Sequence, residues 1–212
     1  VHPARALLAG GFLAPTGYEY YESLDGSIQV YYPGPEVIPD DVPLTESISA
    51  ADGDYTEGNL EYVRGQALKV MDSLETAYPI YAEFLNTQPS EVVKMYLVQD
   101  LGSNNGLNLG CQLMYVEHSL PDDQLASTSA HELFHCFQLV AGIRPSLIET
   151  LFSDMEYMKW MLEGGATFAE HLAHPELNIE HENYANYFPG TQYSLFGRSF
   201  NSGLIWHTLT EE

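Results

Sequence analysis

The chain has 212 residues, a length typical of one domain, and 45% of them are hydrophobic, which suffices for a buried core. Its 30 acidic and 7 basic residues give a formal charge of -23, which argues against nucleic acid as a partner because phosphates are bound by Lys and Arg. No apolar run approaches the roughly 20 residues that a membrane-spanning helix needs, so we expect no membrane-spanning segment.

A β-hairpin is predicted over residues 17–33. Tyrosines and aliphatic residues alternate on both sides of Asp25-Gly26, a dipeptide typical of two-residue turns. Residues 33–57 carry four prolines and seven acidic residues, which indicates a loop or wrapping segment.

A long amphipathic helix is predicted over residues 60–85, because apolar residues recur there at three- and four-residue steps. Pro79 lies inside this pattern and is expected to kink the helix or split it in two, since proline lacks a backbone N–H. The composition then predicts a buried strand over residues 91–99, a Gly/Asn turn over 104–109 and a second strand over 110–116.

The remaining elements are predicted to be mostly helical. Residues 121–140 form a helix with Gly142 as its C-terminal stop. Ser153 and Glu156 fit a capping box that opens the next helix. A tyrosine-rich loop leads to a last helix over residues 196–209, and the order of elements indicates an α+β fold.

The segment Ala-His-Glu-Leu-Phe-His contains the pattern His-Glu-x-x-His. At about 100° per residue, His131 and His135 lie about 40° apart on one helix face. Two imidazoles in this arrangement can bind one Zn²⁺ at about 2.0–2.1 Å each. Glu132 projects to the edge of the same face, where it can take a proton from a metal-bound water without being a ligand.

Glu163 is the candidate third ligand, because a catalytic zinc site takes three protein ligands and leaves one position for water. Gly164 and Gly165 follow it, and each glycine inside a helix costs about 1 kcal/mol relative to alanine. Small residues there would let the helix approach a second backbone and bring Glu163 to the metal. The alternative is that the glycines end one helix and begin another, with Glu163 in solvent.

The chain resembles the gluzincin metallopeptidases, which include thermolysin-like proteases and large zinc aminopeptidases, in the motifs His131-Glu132-x-x-His135 and Trp160-x-x-Glu163-Gly164-x-Ala166. The resemblance covers roughly residues 91–209. It implies that His131, His135 and Glu163 bind zinc and that Glu132 is the general base. It also implies a small sheet with an edge strand packed on the helix of the first motif, and a mostly helical C-terminal half.

Two features depart from that group. The gap between His135 and Glu163 is longer than in thermolysin-like and aminopeptidase members, so residues 144–153 are expected to form an insertion. The aminopeptidase motif Gly-x-Met-Glu-Asn is absent, and residues 109–114 stand in its place, which favours an endopeptidase.

The domain expectation follows from these assignments. Residues 1–57 are interpreted as an N-terminal hairpin and wrapping loop, and residues 58–212 as the metallopeptidase domain, with truncation expected at its C-terminus. The chain begins at Val1 without Met and contains few lysines, so we expect a removed leader and a secreted or extracytoplasmic location.

Metal-binding histidines usually donate their second nitrogen to a carboxylate or carbonyl, for which Asp154, Thr167 and Glu170 are candidates. The tetrahedral intermediate of peptide hydrolysis also requires a donor opposite the metal. Tyr193, just before the last predicted helix, is the first candidate for that donor, and His207 is the alternative.

Cys111 and Cys136 are too few for a disulfide framework, so they form either one bridge or two buried thiols. Export to an oxidising compartment, which the sequence suggests, favours the disulfide bridge.

The acidity of the chain indicates a cationic substrate, calcium binding, life at high salt or simply a solvating surface. Acidic residues at 40–41 and 52–54 are weak candidates for calcium because the rest of an EF-hand loop is missing.

Three functions compete at this point. The first is a zinc endopeptidase that acts on peptides or proteins. The second is a catalytically silent, peptidase-like binding or surface module. The third is a structural protein in which His131 and His135 are surface residues of a helix that binds no metal.

Overall fold

The computed structural model describes residues 3–4, 17–35, 57–99, 101, 104–143 and 159–177, and every structural statement below concerns those residues. This part of the chain is α+β, with one mixed sheet and three α-helices. In chain order the elements are β1 (Pro3–Ala4), β2 (Tyr18–Glu22), β3 (Ile28–Pro33), α1 (Glu57–Leu85), β4 (Val93–Val98), β5 (Gly106–Asn108), β6 (Met114–Glu117), α2 (Asp122–Val140), α3 (Lys159–Ala173) and a 3-10 turn (Pro175–Leu177).

The strands form one sheet in the order β1-β2-β3-β4-β6-β5. The first three strands pair antiparallel, which confirms the predicted hairpin. β3, β4 and β6 run parallel, and β5 pairs antiparallel with β6 at the end of the sheet. Parallel neighbours need a crossover connection, which α1 provides between β3 and β4. The strand predicted over residues 91–99 is confirmed as β4, in the middle of the sheet.

β5 corrects the Gly/Asn turn that was expected over residues 104–109. The turn lies later, where the Leu109 N–H donates to the Leu113 carbonyl at 3.0 Å. As a result β6 begins at Met114, and the predicted strand start at Gly110 is wrong. Glycine and asparagine are depleted in strands, so here pairing with β6 and packing on α2 outweigh local propensity.

α1 passes through Pro79 without a break, so of the two effects expected of this proline the split does not occur. Proline removes one backbone hydrogen bond, but contacts on both sides of it hold the helix together. The ring of Tyr78 packs on Phe137 with centroids 5.1 Å apart. The hydroxyl of Tyr81 donates to the carbonyl of Ala169 at 3.0 Å. These contacts reach α2 and α3, so tertiary packing outweighs the local preference.

α2 confirms the helix predicted over residues 121–140. Asp122 lies in its first turn, where a carboxylate favours the positive end of the helix dipole. Gly142 has φ +71, and the N–H of Ile143 donates to the carbonyl of Gln138 at 2.9 Å. This pattern satisfies the last carbonyls of the helix and requires the left-handed conformation that glycine adopts easily.

One face of the sheet packs on α1 and α2, and α3 packs on both of these helices. The largest fully buried side chains of this core include Ile28, Met71, Leu74, Tyr81, Met95, Leu97, Met114, Leu125, Leu133 and Phe137. Because α2 lies between the sheet and α3, residues 129–138 are all buried. Polar side chains in that stretch therefore need partners inside the protein.

Several predicted elements lie outside the described residues: the capping box of Ser153 and Glu156, the tyrosine-rich loop and the helix over residues 196–209. The acidic stretches proposed for calcium lie outside as well. Among the helices that are described, none combines the length and the apolar composition needed to cross a membrane.

Candidate metal centre

The two histidines of the first motif lie in the buried part of α2. Their four-residue spacing places His131 and His135 one turn apart, with ring centroids 4.7 Å apart and ring planes at 87°. Only 7% and 6% of their respective surfaces are exposed. A buried ring nitrogen without a partner costs free energy, so both nitrogens of each ring need a hydrogen bond or a metal.

α3 brings a carboxylate to this pair. Oε2 of Glu163 lies 3.2 Å from Nε2 of His131 and 3.4 Å from Nε2 of His135. The ligand atoms of the three side chains lie within 4.8 Å of one another, so this group could hold a metal ion. Neighbouring ligands of a tetrahedral zinc ion are about 3.4 Å apart when each bond is about 2.0–2.1 Å. The two contacts of Glu163 therefore match the spacing of such a coordination sphere.

The small residues after Glu163 lie inside one continuous helix, so the two glycines do not separate two helices. Gly164, Gly165 and Ala166 are all buried. Without long side chains at these positions, α3 can pack closely against α2. A direct link confirms the close approach, since the side chain of Gln138 donates to the backbone carbonyl of Leu162 at 3.0 Å.

Hydrogen bonds behind the two rings orient both imidazoles. Nδ1 of His131 lies 2.5 Å from Oε1 of Glu170, and Nδ1 of His135 lies 2.8 Å from Oε1 of Gln138. The Gln138 amide nitrogen donates to Leu162, so its oxygen faces the ring as an acceptor. Because both partners are acceptors, Nδ1 of each ring donates a hydrogen bond. In a neutral ring Nε2 then carries the lone pair, and in both rings it faces the carboxylate of Glu163.

Three acceptor atoms thus face one another, an arrangement that needs a cation or protons between them. Burial lowers the pKa of His131, but hydrogen bonds to Glu163 and Glu170 outweigh it and raise that pKa well above its ordinary value. Burial raises the pKa of Glu163, whereas hydrogen bonds and charge from the two imidazoles hold it well below its usual range. The centre therefore attracts positive charge, as a metal site with this donor set requires.

Glu132 is buried beside the centre but does not belong to the metal-capable group of the described residues. Its carboxylate lies against β5, where a Cβ added to Gly106 would be 2.6 Å from Oε1. Its backbone carbonyl accepts a hydrogen bond from the side-chain amide of Asn108 at 2.7 Å. Glu132 is thus held between α2 and the edge strand of the sheet.

Asp154, Thr167 and Glu170 were the candidates for orienting the imidazoles. Of these, Glu170 accepts a hydrogen bond from Nδ1 of His131, as described above. Thr167 is buried, but its hydroxyl makes no hydrogen bond within the described residues. Asp154, Tyr193 and His207 lie outside the described residues.

Sequence reasoning missed Gln138 as the partner of the second imidazole. Its signal was the spacing, because residues three apart on a helix are neighbours and Gln138 follows His135 by three. Gly106 and Asn108 were missed because the stretch that contains them was assigned to a turn and not to an edge strand.

Cys111 and Cys136 form a disulfide, so of the two alternatives the structure takes the bridge. The bond joins the turn between β5 and β6 to α2, at the residue directly after His135. It therefore connects the edge strand to the helix that carries the two histidines.

Two sequence comparisons with known proteins give no match. No family model matches the chain. A search of curated proteins also finds no match. The interpretation of the centre therefore depends on its own side chains.

Proposed function

We propose that the protein is a zinc-dependent peptidase of the gluzincin type, an endopeptidase that acts on peptides or proteins. One observation carries the proposal: Nε2 of His131 and Nε2 of His135 converge on the carboxylate of Glu163, at 3.2 and 3.4 Å. Both rings are fixed from behind by acceptors, as is usual for histidines that bind a metal.

Zinc suits this donor set. Two imidazoles and one carboxylate form a three-ligand set typical of catalytic zinc, with a fourth position left for water. A closed structural site would recruit a fourth ligand, often a cysteine, but the two cysteines are bonded to each other. The Glu163 side chain is 28% exposed against 9% for His131, so water and substrate can enter from the side of the carboxylate.

Zinc bound at this site would lower the pKa of a bound water towards about 7 and polarise the scissile carbonyl. Glu132 accepts a proton from the attacking water and returns it to the leaving amine. Glu132 directly follows His131 in the chain, and its carboxylate does not belong to the group formed by His131, His135 and Glu163. Both observations support this role. Glu170 and Gln138 keep the two imidazoles oriented with Nε2 towards the centre.

The edge strand supports a peptide as the substrate. β5 is the last strand of the sheet in the described part of the chain, so it forms one edge of the sheet there. An extended peptide can add to such an edge through main-chain hydrogen bonds. β5 also lies directly against Glu132, which would place an added peptide next to the general base.

Two further properties belong to the proposal. The formal charge of -23 supports a preference for basic peptides, since opposite charge raises the local substrate concentration. Equal cleavage of Lys/Arg-rich and Asp/Glu-rich peptides at low salt would remove that preference.

The disulfide supports a secreted or extracytoplasmic location, because such bonds persist in oxidising compartments.

Replacement of the general base tests the enzyme assignment. We expect Glu132→Gln to retain one zinc per chain and to lose hydrolysis of a mixed peptide library by about 100- to 10,000-fold. Zinc content is measured by mass spectrometry and cleavage by peptide analysis. Glu75→Gln, at an exposed position of α1, is the matched control and should keep full activity.

Two outcomes would contradict the proposal. Zinc-loaded wild-type protein that cleaves no peptide of the library would leave the catalytically silent binding module as the better interpretation. A Glu132→Gln variant with wild-type turnover would remove Glu132 from the chemistry.

A further inference from the structure

The edge strand β5 contacts α2 at two inward-facing positions. Side chains alternate along a strand, so positions 106 and 108 face one side and Leu107 faces the other. Asn108 is 3% exposed, whereas Leu107 is 37% exposed. Both inward positions meet Glu132 on α2, at its carboxylate and at its backbone carbonyl.

Gly106 leaves the space that the Glu132 carboxylate occupies. A Cβ at this position would lie 2.6 Å from Oε1 of Glu132, 2.8 Å from its Cγ and 2.7 Å from Cγ2 of Thr128. The backbone of Gly106 is outside the left-handed region, so alanine could adopt it without strain. The requirement for glycine is therefore one of space next to Glu132 and Thr128, and two of the three nearest atoms belong to Glu132.

Asn108 fixes the strand to the helix backbone at the same residue. Its Nδ2 donates to the carbonyl of Glu132 at 2.7 Å, and its Oδ1 accepts from the N–H of Gly110 at 2.9 Å. The second bond determines which way the amide points, so Nδ2 must face the helix. A carbonyl has two lone pairs, so the Glu132 oxygen can accept this bond besides its helical one.

We propose that Gly106 and Asn108 are positioning residues for Glu132: Gly106 leaves room for its carboxylate, and Asn108 holds the edge strand against its backbone. The catalytic consequence depends on the function proposed above. The contact itself does not, so the two can be tested separately.

Unfolding of the zinc-saturated full chain tests the contact. Gly106→Ala and Glu132→Ala are made singly and together, and the urea midpoint of each is measured. The change in unfolded-chain entropy caused by Gly106→Ala is the same in both backgrounds and cancels in the comparison. We expect the midpoint loss caused by Gly106→Ala to fall by at least half when Glu132 is alanine. Equal losses in both backgrounds would overturn the proposal.

Activity and zinc binding test the consequence. Gly106→Ala should lower kcat at least tenfold while the Kd for zinc stays within about twofold, and it should lower activity no further in a Glu132→Gln background. Gly65→Ala on α1, where an added Cβ meets nothing within 4 Å, is the matched control and should keep wild-type kcat. Wild-type kcat in Gly106→Ala would overturn the proposal.

Asn108→Asp provides a second variant that does not crowd the site. It keeps an acceptor for the N–H of Gly110 but loses the donor to Glu132. We expect a folded, zinc-binding protein with kcat lowered at least fivefold, and an unchanged kcat would contradict the role of Asn108. If the wild-type protein itself hydrolyses no peptide, the proposed function fails, and the unfolding comparison still decides whether Gly106 positions Glu132.

Discussion

Two residues of α3 contribute to the same centre in different ways. Glu163 and Glu170 are seven residues apart, so they lie on one face of the helix. Glu163 faces Nε2 of His131, and Glu170 accepts from Nδ1 of the same ring. One imidazole is thus held on both sides by one helix, which couples the position of α3 to the orientation of the ring.

The motifs could predict these residues only in part. His131, Glu132 and Glu163 were identified because their residue types and local spacing carry a chemical meaning. Gln138 could have been found from helical spacing, but Gly106 could not, because it matters only through its distance to a residue on another element. Contacts between elements far apart in the chain do not appear in local patterns.

His118 is a buried histidine that lies outside the candidate metal centre. Its backbone carbonyl accepts bonds from Tyr62 and Gln66, both at 3.2 Å. The residue is 6% exposed, and Nδ1 has no hydrogen-bond partner within the described residues. Burial lowers the pKa of His118, and the nearby carboxylate of Glu117 offsets this only in part. The folded protein therefore resists protonation of this ring.

This residue predicts an acid-sensitive contribution to stability. Because the pKa of His118 is lower in the folded than in the unfolded chain, its contribution is present above the unfolded value of about 6.5. It is lost as the pH falls from there through the lower folded pKa. We expect His118→Phe to remove this slope and to raise the unfolding free energy at pH 5 by about 1 kcal/mol or more relative to wild type.

Urea unfolding at several pH values between 5 and 8 measures the effect of His118→Phe. The variant keeps an aromatic ring next to Tyr62 and both bonds to the backbone carbonyl. Parallel pH profiles of the variant and the wild type would show that the acid sensitivity comes from another group.

At the scale of secondary structure, the edge strand and α2 are joined by a covalent bond and by a side-chain hydrogen bond. The disulfide Cys111–Cys136 closes a segment with a sequence separation of 25. Asn108 adds the bond to the Glu132 carbonyl. A three-residue strand makes few pairing bonds, so these links add to the pairing with β6 that holds it in place.

Removal of the disulfide should therefore be costly. We expect Cys111→Ala with Cys136→Ala to lower the unfolding free energy by about 3.5 kcal/mol, because a closed loop of this size restricts the unfolded chain by about that amount. Urea unfolding of the variant against the unreduced wild type measures this loss. Two free thiols in the denatured, unreduced wild-type protein would contradict the bridge.

The predicted and observed elements differ where tertiary contacts act. The hairpin and α2 have clear periodic patterns, β4 is a short apolar run, and the structure contains all three. β5 has turn-forming residues but pairs with β6, and α1 contains Pro79 but packs on two helices. In both cases the determining partners are distant in sequence, which residue-by-residue propensity does not include.

At the scale of the molecule, the layers bring distant segments together around one centre. The sheet and α1 support α2, and α3 packs on the outer side of α2. The contact between His131 and Glu163 spans 32 residues of the chain. The α+β class followed from the order of the elements, whereas the convergence of these side chains depends on how the helices pack.

We expect the protein to bind one zinc ion per chain, with an affinity that depends on the carboxylate of Glu163 on α3. Glu163→Gln keeps the size of the side chain and removes its charge. Glu176→Gln, with a side chain that is 66% exposed in the turn after α3, is the matched control. Zinc content by mass spectrometry and zinc affinity by competition titration are compared in both variants and the wild type.

We predict one zinc per chain in the wild type and the control. For Glu163→Gln we predict an affinity lower by more than about 100-fold, beyond the loss typical of residues that only support a ligand. Zinc bound by Glu163→Gln as tightly as by the wild type would contradict a centre built from His131, His135 and Glu163.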